Sequence, residues 1–321
     1  MCDAKYMTLN YPCETGGKTL LTGIREVRDQ KKKVLISGFY ENSTKFGFIY
    51  KGDVFGNGKW YSFVFPSPSG STVSGTFLYG PNNGCKKDQI EVVGNYTLEG
   101  STTQIGCLYQ GHLNGCGVWT TLIPTSSEPV LNTIAHSTMG GMVVGNYETS
   151  LFRGKAFIYD ICRRVYYNIV KPGALSVTAY GIWHNCGCSY TICGGFSNLV
   201  DTGLDQAYLV DWNSSTGVFL NWRNYAYDND PAKAILTHFD GITKCGDGYN
   251  LTGDWLETGT TTPKAFFCKV DEKNGAPRTT WCTLSYPYSD ATSGNSVYKN
   301  YVIGVYDKDS TVNGYISRIG C

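Results

Sequence analysis

The chain has 321 residues, a formal net charge of +1 and 17% charged residues, so nothing in its charge suggests a nucleic-acid partner held through phosphates. Its 39 Gly and 24 Tyr against 4 Met make a β-rich, turn-rich composition without the Ala/Glu/Lys/Leu bias of helical proteins. No run of about 18 apolar residues is present, which excludes a membrane-spanning helix, and the opening MCDAKYMTLNYPC has no apolar segment of the secretory-signal kind.

Taken in chain order, short strand-like segments recur. YMTLNYP (6–12) comes first, an aromatic residue followed by an apolar one and ending at Pro. Then come TLLTGI (19–24), ISGFY (36–40), GFIY (47–50) and WYSFVFP (60–66). The same four kinds of segment return as TFLYGP (76–81), VVGNY (92–96), GCLY (106–109) and WTTLIP (119–124). They return again as TIAHST (133–138), VVGNY (143–147), AFIY (156–159) and YYNIVKP (166–172). VTAYGI (177–182), ICGGF (192–196) and AYLV (207–210) lead to FLNWRNY (219–225), a degenerate copy with Tyr225 in place of Pro. THFDGI (237–242), LTGDW (251–255), AFFC (265–268) and WCTLSYP (281–287) follow. The next T-x-x-x-G copy, between Tyr288 and Asn300, is too worn to place, and VIGVY (302–306) and GYIS (314–317) end the series.

The last copy stops after two segments, and the first begins at the kind of segment the last one lacks. A linear stack would need two capping ends, whereas a ring needs its ends to meet. The phase therefore predicts an all-β chain forming one domain over 1–321: a six-bladed β-propeller of four-stranded antiparallel blades, closed by the N-terminal strand joining the C-terminal blade. The T-x-x-x-G-I segment is expected innermost, where the smallest side chains converge. The pattern resembles HAF-type repeats, whose consensus runs T-x-x-x-G-I-N, I-V-G-x-Y, G-F-L-Y and then a strand ending near Pro. Such repeats occur mostly in secreted or surface proteins without assigned chemistry, so the resemblance implies architecture more than function. The Asn that usually follows G-I is missing; Arg25, Trp183 and Thr243 stand there.

In such a blade the turns after the first and third strands share one face of the disc. Those turns carry most of the basic clusters, Cys85, Cys116, Cys162, Cys186, Cys188 and Cys245, and His112, His184, Trp183 and Trp212. The opposite turns, such as ENSTK and TLEGSTT, are plain Ser/Thr/Gly/acid turns. Trp60, Trp119 and Trp281 occupy a matched repeat position and read as core. Trp183 and Trp212 have no counterpart and are expected in turns, as binding-surface candidates or as caps on a blade edge. The residue before the T-x-x-x-G glycine, or its Ser137 stand-in, is Thr22, Tyr79, His136, Tyr180 and Asp240. On an innermost strand these converge on the channel, as a small-ligand site or as hydrogen bonds between blades.

HNCGCSYTIC (184–193) is the one metal-like cluster, with His184, Cys186 and Cys188 as candidate ligands, but C-x-C is tight for zinc and disulfides or free thiols explain it equally well. Ring closure would bring Cys2 and Cys321 into one broken turn, a candidate disulfide. N-x-S/T triplets at Asn42, Asn95, Asn213 and Asn250, like the 13 cysteines, leave the compartment open between a secreted, surface or virion setting and a cytoplasmic one. There is no G-x-S-x-G, H-E-x-x-H, Walker loop or dinucleotide fingerprint, so no catalytic residue is assigned and no cofactor is expected. The expected function is non-enzymatic: a scaffold or recognition disc presenting its Cys/His/Trp/Lys face to a protein or glycan, or a structural component of a surface or virus particle. The alternative is a glycan-acting hydrolase or lyase with its site in the axial channel.

Overall fold

The computed structural model describes residues 3–12, 16–151, 154–198, 204–273 and 277–320. Among these, strands alternate with turns, and the helical element is a 3-10 turn at Tyr227–Asn229. The chain enters on β1 (Ala4–Thr8) and then builds a four-stranded antiparallel sheet from β2 (Lys18–Glu26), β3 (Lys33–Glu41), β4 (Lys45–Asp53) and β5 (Gly56–Phe63). A second such sheet contains β6 (Val73–Asn83), β7 (Gln89–Leu98), β8 (Ile105–His112) and β9 (Gly117–Leu122). A third contains β10 (Val130–Met139), β11 (Met142–Thr149), β12 (Lys155–Asp160) and β13 (Val165–Ile169).

The remaining strands form one fourteen-stranded sheet. In it β14 (Ala174–Val177) and β15 (Gly181–Cys186) share the edge of β16 (Ser189–Asn198), which pairs on to β17 (Asp205–Asn213) and β18 (Val218–Tyr225). Likewise β19 (Ala234–Thr237) and β20 (Gly241–Cys245) share β21 (Gly248–Glu257), followed by β22 (Lys264–Asp271) and β23 (Arg278–Leu284). The last antiparallel run is β24 (Ala291–Tyr298), β25 (Tyr301–Lys308), β26 (Thr311–Ile319) and then β1, with Ala4 opposite Ile319 and Thr8 opposite Tyr315. Single parallel contacts, Asp205 with Leu236 and Lys264 with Thr292, link these runs into the larger sheet.

The T-x-x-x-G segment is the first strand of each antiparallel run and carries a bulge. In β2 the register steps from Leu21 opposite Gly38 to Gly23 opposite Ser37, leaving Thr22 over. The same step leaves His136 over in β10 and Asn295 over in β24, and Tyr79 with Gly80 in β6. In the fourteen-stranded sheet the bulge is wide enough to split the strand, into β14/β15 around Tyr180 and β19/β20 around Asp240. The bulge presses a carbonyl onto the next strand, which is why that strand carries Gly. A Cβ on Gly94 would lie 1.9 Å from the Phe77 carbonyl oxygen, and one on Gly253 1.9 Å from that of His238. The worn copy is thereby placed as Gly294–Asn295–Ser296. First strands touch in circuit, β2 with β6, β6 with β10, β10 with β15, β15 with β20, β20 with β24 and β24 with β2, so they lie innermost as expected.

The core lies between sheets. Leu35, Ile49 and Phe63 of the first sheet pack with Leu78, Val92 and Tyr109 of the second. Tyr298, Ile303 and Ile316 from the end of the chain pack with Leu21, Ile24 and Ile36 near its start. Each such side chain, buried from water, contributes about 1.5–3 kcal/mol. The segment after β1 extends this closure: the Tyr11 ring lies 5.2–5.5 Å from the rings of Tyr40, Phe46, Phe48 and Trp60. Asn95 and Asn250 are 0% and 4% exposed, so their N-x-S/T triplets cannot carry a glycan in this fold.

Candidate binding face and central cavity

Four of the six bulges aim their extra residue at the axis. Thr22, His136, Tyr180 and Asp240 line one cavity of about 10 Å³ with Gly23, Ser137 and Ser296. The Tyr79 ring stands 5.0 Å from His136, which is 4.7 Å from Tyr180, which is 6.0 Å from His238. Thus, of the five inner residues expected to converge, Thr22, His136, Tyr180 and Asp240 line the axial cavity and the Tyr79 ring packs on His136 beside it. The cavity has room for about one water molecule.

Arg25 closes one end. It is 8% exposed. Its Nη1 donates to the carbonyls of Ile24 (3.3 Å) and Ile242 (3.4 Å), and its Nη2 to Ser137 Oγ and the Ile182 carbonyl (both 3.3 Å). One side chain therefore ties β2 to β10, β15 and β20. The guanidinium also faces the Trp183 ring, 5.8 Å from its centroid. Burial lowers the Arg25 pKa to about 10, opposed by the nearby Cys193.

Beyond Arg25, the turns following first and third strands enclose two grooves that share Trp183. One, of about 1150 Å³, is lined by Arg25, Arg28, Lys32, Phe55, Trp183 and Tyr301 among others. The second, of about 460 Å³, runs from Trp183 past Asn185, Asp211, Asn221, Lys244 and Glu272. Trp183 lies in β15 rather than in a turn, because that strand runs on past G-I to Cys186. It is half-buried, with part of its ring packed on the core around Phe239 and Tyr249.

Trp212 is not a surface anchor. It sits in β17, is 1% exposed and packs on Tyr167, Tyr190 and Phe219. The strand overruns its apolar motif, and two-residue alternation puts Trp212 on the core side with Tyr208 and Val210. His184 also lies in β15; it stacks on Tyr190 at 4.7 Å and its Nε2 bonds the Gly187 carbonyl at 2.9 Å. The candidate ligand set of His184, Cys186 and Cys188 does not assemble: both thiols are free and exposed, and the described residues hold no metal-binding group. His112 is exposed at the end of β8. Cys2 and Cys321 lie outside the described residues.

No protein-family model matches this chain, and no curated protein matches it in sequence. Solved structures do resemble it. They include a Trypanosoma rangeli sialidase in complex with sialic acid (TM-score 0.56, 9% identity, 98% of this chain and 59% of that one). They also include the hemagglutinin-neuraminidase ectodomain of parainfluenza virus 5 (TM-score 0.53, 10% identity, 99% and 85%) and a glucose dehydrogenase (TM-score 0.51, 8% identity, 99% and 99%). The fold is a β-propeller. At these identities the likeness extends to the propeller fold alone.

Within the propeller, the fourth residue of the VVGNY-type strand bonds the next blade in two copies, VVGNY (143–147) and LTGDW (251–255). Asn146 Oδ1 accepts from the Ala179 amide at 2.7 Å, and Asp254, its counterpart in LTGDW, accepts from the Gly294 amide at 3.0 Å and Ser293 Oγ at 2.5 Å. Asp254 places a carboxylate beside Asp240. Burial raises Asp254 to about 6 against the Ser293 and Gly294 bonds. Burial and then the Asp254 charge push Asp240 well above the usual carboxylate range. Burial drives His136 down to about 3, so its imidazole is neutral at physiological pH although its ring keeps some surface along the channel wall. Sequence reasoning missed Arg25 and Asp254. Arg25 was signalled by its standing where the repeat expects Asn, Asp254 only by its matching the Asn of the two VVGNY copies.

These shifts carry a pH signature. The proton on Asp240 contributes stability that is fully present below the ordinary value of 3.8 and is lost as pH rises through the higher folded value. Asp240→Asn stays neutral throughout. Its melting temperature relative to the parent is expected to be more favourable at pH 8 than at pH 4; equal differences at the two pH values would show that Asp240 is not held protonated.

Proposed function

We propose that the chain is a six-bladed β-propeller working by binding, with the Trp183 face as its recognition surface for a protein or glycan partner. The blade count follows from reading the fourteen-stranded sheet as three four-stranded runs bridged by single contacts, joined to the three separate sheets. The observation that carries the functional reading is the contrast between the axis and this face. The axis is filled by Arg25 around a cavity of about 10 Å³, while two grooves of about 1150 and 460 Å³ open on either side of Trp183. The larger groove mixes Arg28, Lys31 and Lys32 with Phe55 and Tyr301, a composition suited to recognition rather than to a plain solvated turn.

The second reading, a glycan-acting hydrolase or lyase in the channel, is favoured by one observation: the buried pair Asp240 and Asp254, one carboxyl held protonated beside another. A sugar ring needs more room there than about 10 Å³. A pull-down combined with a glycan array separates the readings. Trp183→Ala is expected to weaken capture of whatever partner binds by about tenfold or more, roughly 1.4 kcal/mol, while Asp240→Asn leaves it unchanged. Full binding by Trp183→Ala would remove this face, and hydrolysis abolished by Asp240→Asn would favour the channel.

A further inference from the structure

The degenerate FLNWRNY segment has a structural cause. The corresponding pairs β8–β9, β12–β13 and β22–β23 run in unbroken register. Between β17 and β18, however, Leu209 faces Arg223 but Asp211 faces Leu220, which leaves one extra residue on β18. Asn221 in that bulge has φ +53°, in the left-handed region that Asn enters more readily than most residues.

The bulge turns two side chains onto Asp211. Asn221 Nδ2 donates to its Oδ2 at 3.0 Å. Arg223 Nη1 and Nη2 donate to Oδ2 and Oδ1 at 2.9 and 3.0 Å, and Thr191 Oγ1 donates to Oδ1 at 2.9 Å. Arg223 Nε reaches Glu272 Oε1 at 3.2 Å. Burial pushes the Asp211 pKa up, but Arg223, Asn221 and Thr191 overcome it and hold the group below its ordinary value. Asp211 is thus a saturated positioning residue, and of the groups it fixes Asn221 lines the groove.

We propose that this 460 Å³ groove binds a neutral saccharide. The inference rests on the reading of the Trp183 face as a recognition surface and names its ligand. The volume falls in the range of small-ligand sites, about 300–1000 Å³. Planar amides and a carboxylate, from Asn185, Asn221 and Glu272, offer donors and acceptors at fixed angles, which suits neighbouring hydroxyls. The half-buried Trp183 indole supplies a flat apolar surface for the C–H side of a sugar ring. The indole N–H of Trp212, whose ring borders the groove, is buried without a partner. The charges of Asp211 and Glu272 cancel those of Arg223 and Lys244, so an acidic sugar gains no ionic attraction.

The test uses the whole protein against an array of neutral hexose and N-acetylhexosamine oligosaccharides and their sialylated, uronate and sulfated counterparts, followed by titration calorimetry. Binding of neutral members is expected. Asn221→Gly keeps the left-handed backbone while removing the amide, and with Glu272→Gln it is expected to weaken binding by about tenfold or more without shifting the melting curve by more than about 2 °C, a small fraction of a core defect. Absence of neutral-glycan binding, preference for acidic glycans, or neutral binding indifferent to both variants overturns the proposal. Should no neutral glycan bind while a protein partner is captured in a Trp183-dependent manner, the saccharide inference fails and the recognition face stands. Capture indifferent to Trp183→Ala removes both.

Discussion

Trp212→Ala is expected to destabilise the protein by about 3–5 kcal/mol, the range for truncating a buried large aromatic residue. The indole is 1% exposed and sits among Tyr167, Tyr190 and Phe219, in a cluster that also takes Met142, Val144 and Ile158 from the preceding sheet. Its removal leaves a cavity between two sheets whose backbones are held by their own ladders and cannot close in. A loss of this size lowers the melting temperature by roughly 4–7 °C for a chain of this length. The unpartnered indole N–H subtracts something from what the side chain contributes, since a buried donor without an acceptor costs free energy. A melting curve within about 2 °C of the parent would return Trp212 to the surface.

Deletion of residues 3–11 is expected to be more damaging still, costing about 5–10 kcal/mol, which equals the whole stability of many domains. The deletion removes a complete strand and three anchors. Tyr6 lies between Tyr286 and Tyr315 at 5.6 and 5.9 Å and accepts from the Ser285 amide at 3.0 Å. Thr8 Oγ1 bonds the hydroxyls of Tyr286 and Tyr306 at 2.7 and 2.8 Å. Tyr11 fills a nest of four rings on the first sheet and bonds Ser62 Oγ at 2.8 Å. Without them β26 becomes an open edge, a template for pairing with other chains. The shortened chain is expected to accumulate as aggregate, checked by size-exclusion chromatography and thermal melting. A soluble, monomeric product with a near-parental melting temperature would mean that the first strand is an ornament.

The parts of this structure that repeat were legible in the sequence, because a repeated backbone constraint leaves a repeated residue. The Gly of ISGFY and VVGNY recurs since a carbonyl of the first strand presses on it in every copy described by Gly38, Gly94 and Gly145. Thr22, Tyr79 and His136 differ chemically yet share a position, and the bulge explains both facts: it needs an extra residue, not a particular one. Asn295 escaped notice because its neighbours in TSGNS are all small and polar, so no apolar pattern marked the strand. Trp183 and Trp212 were misplaced because their strands run beyond the repeating motif, into residues with no counterpart to align.

What was not legible is the chemistry that joins distant copies. Asp211, Arg223 and Glu272 come from three separate strands or turns, and only the register shift in β17–β18 brings them together. The degenerate FLNWRNY segment marked the place without disclosing the geometry. Arg25 is a similar case. Its replacement of the repeat's Asn was visible, but its reach across the axis to Ser137, Ile182 and Ile242 follows from the ring, not from any local pattern.

The two faces, the filled axis and both grooves all depend on the ends of the chain meeting in one ladder. Amide hydrogen exchange of the intact protein, followed residue by residue, tests this most directly. Ala4–Thr8 and Thr311–Ile319 are expected to be protected together and to lose protection only with global unfolding, as the pairing of Tyr6 with Ser317 and Met7 with Ile316 requires. Exchange of Ala4–Thr8 at the rate of an unstructured peptide, with β26 still protected, would contradict the closed ring.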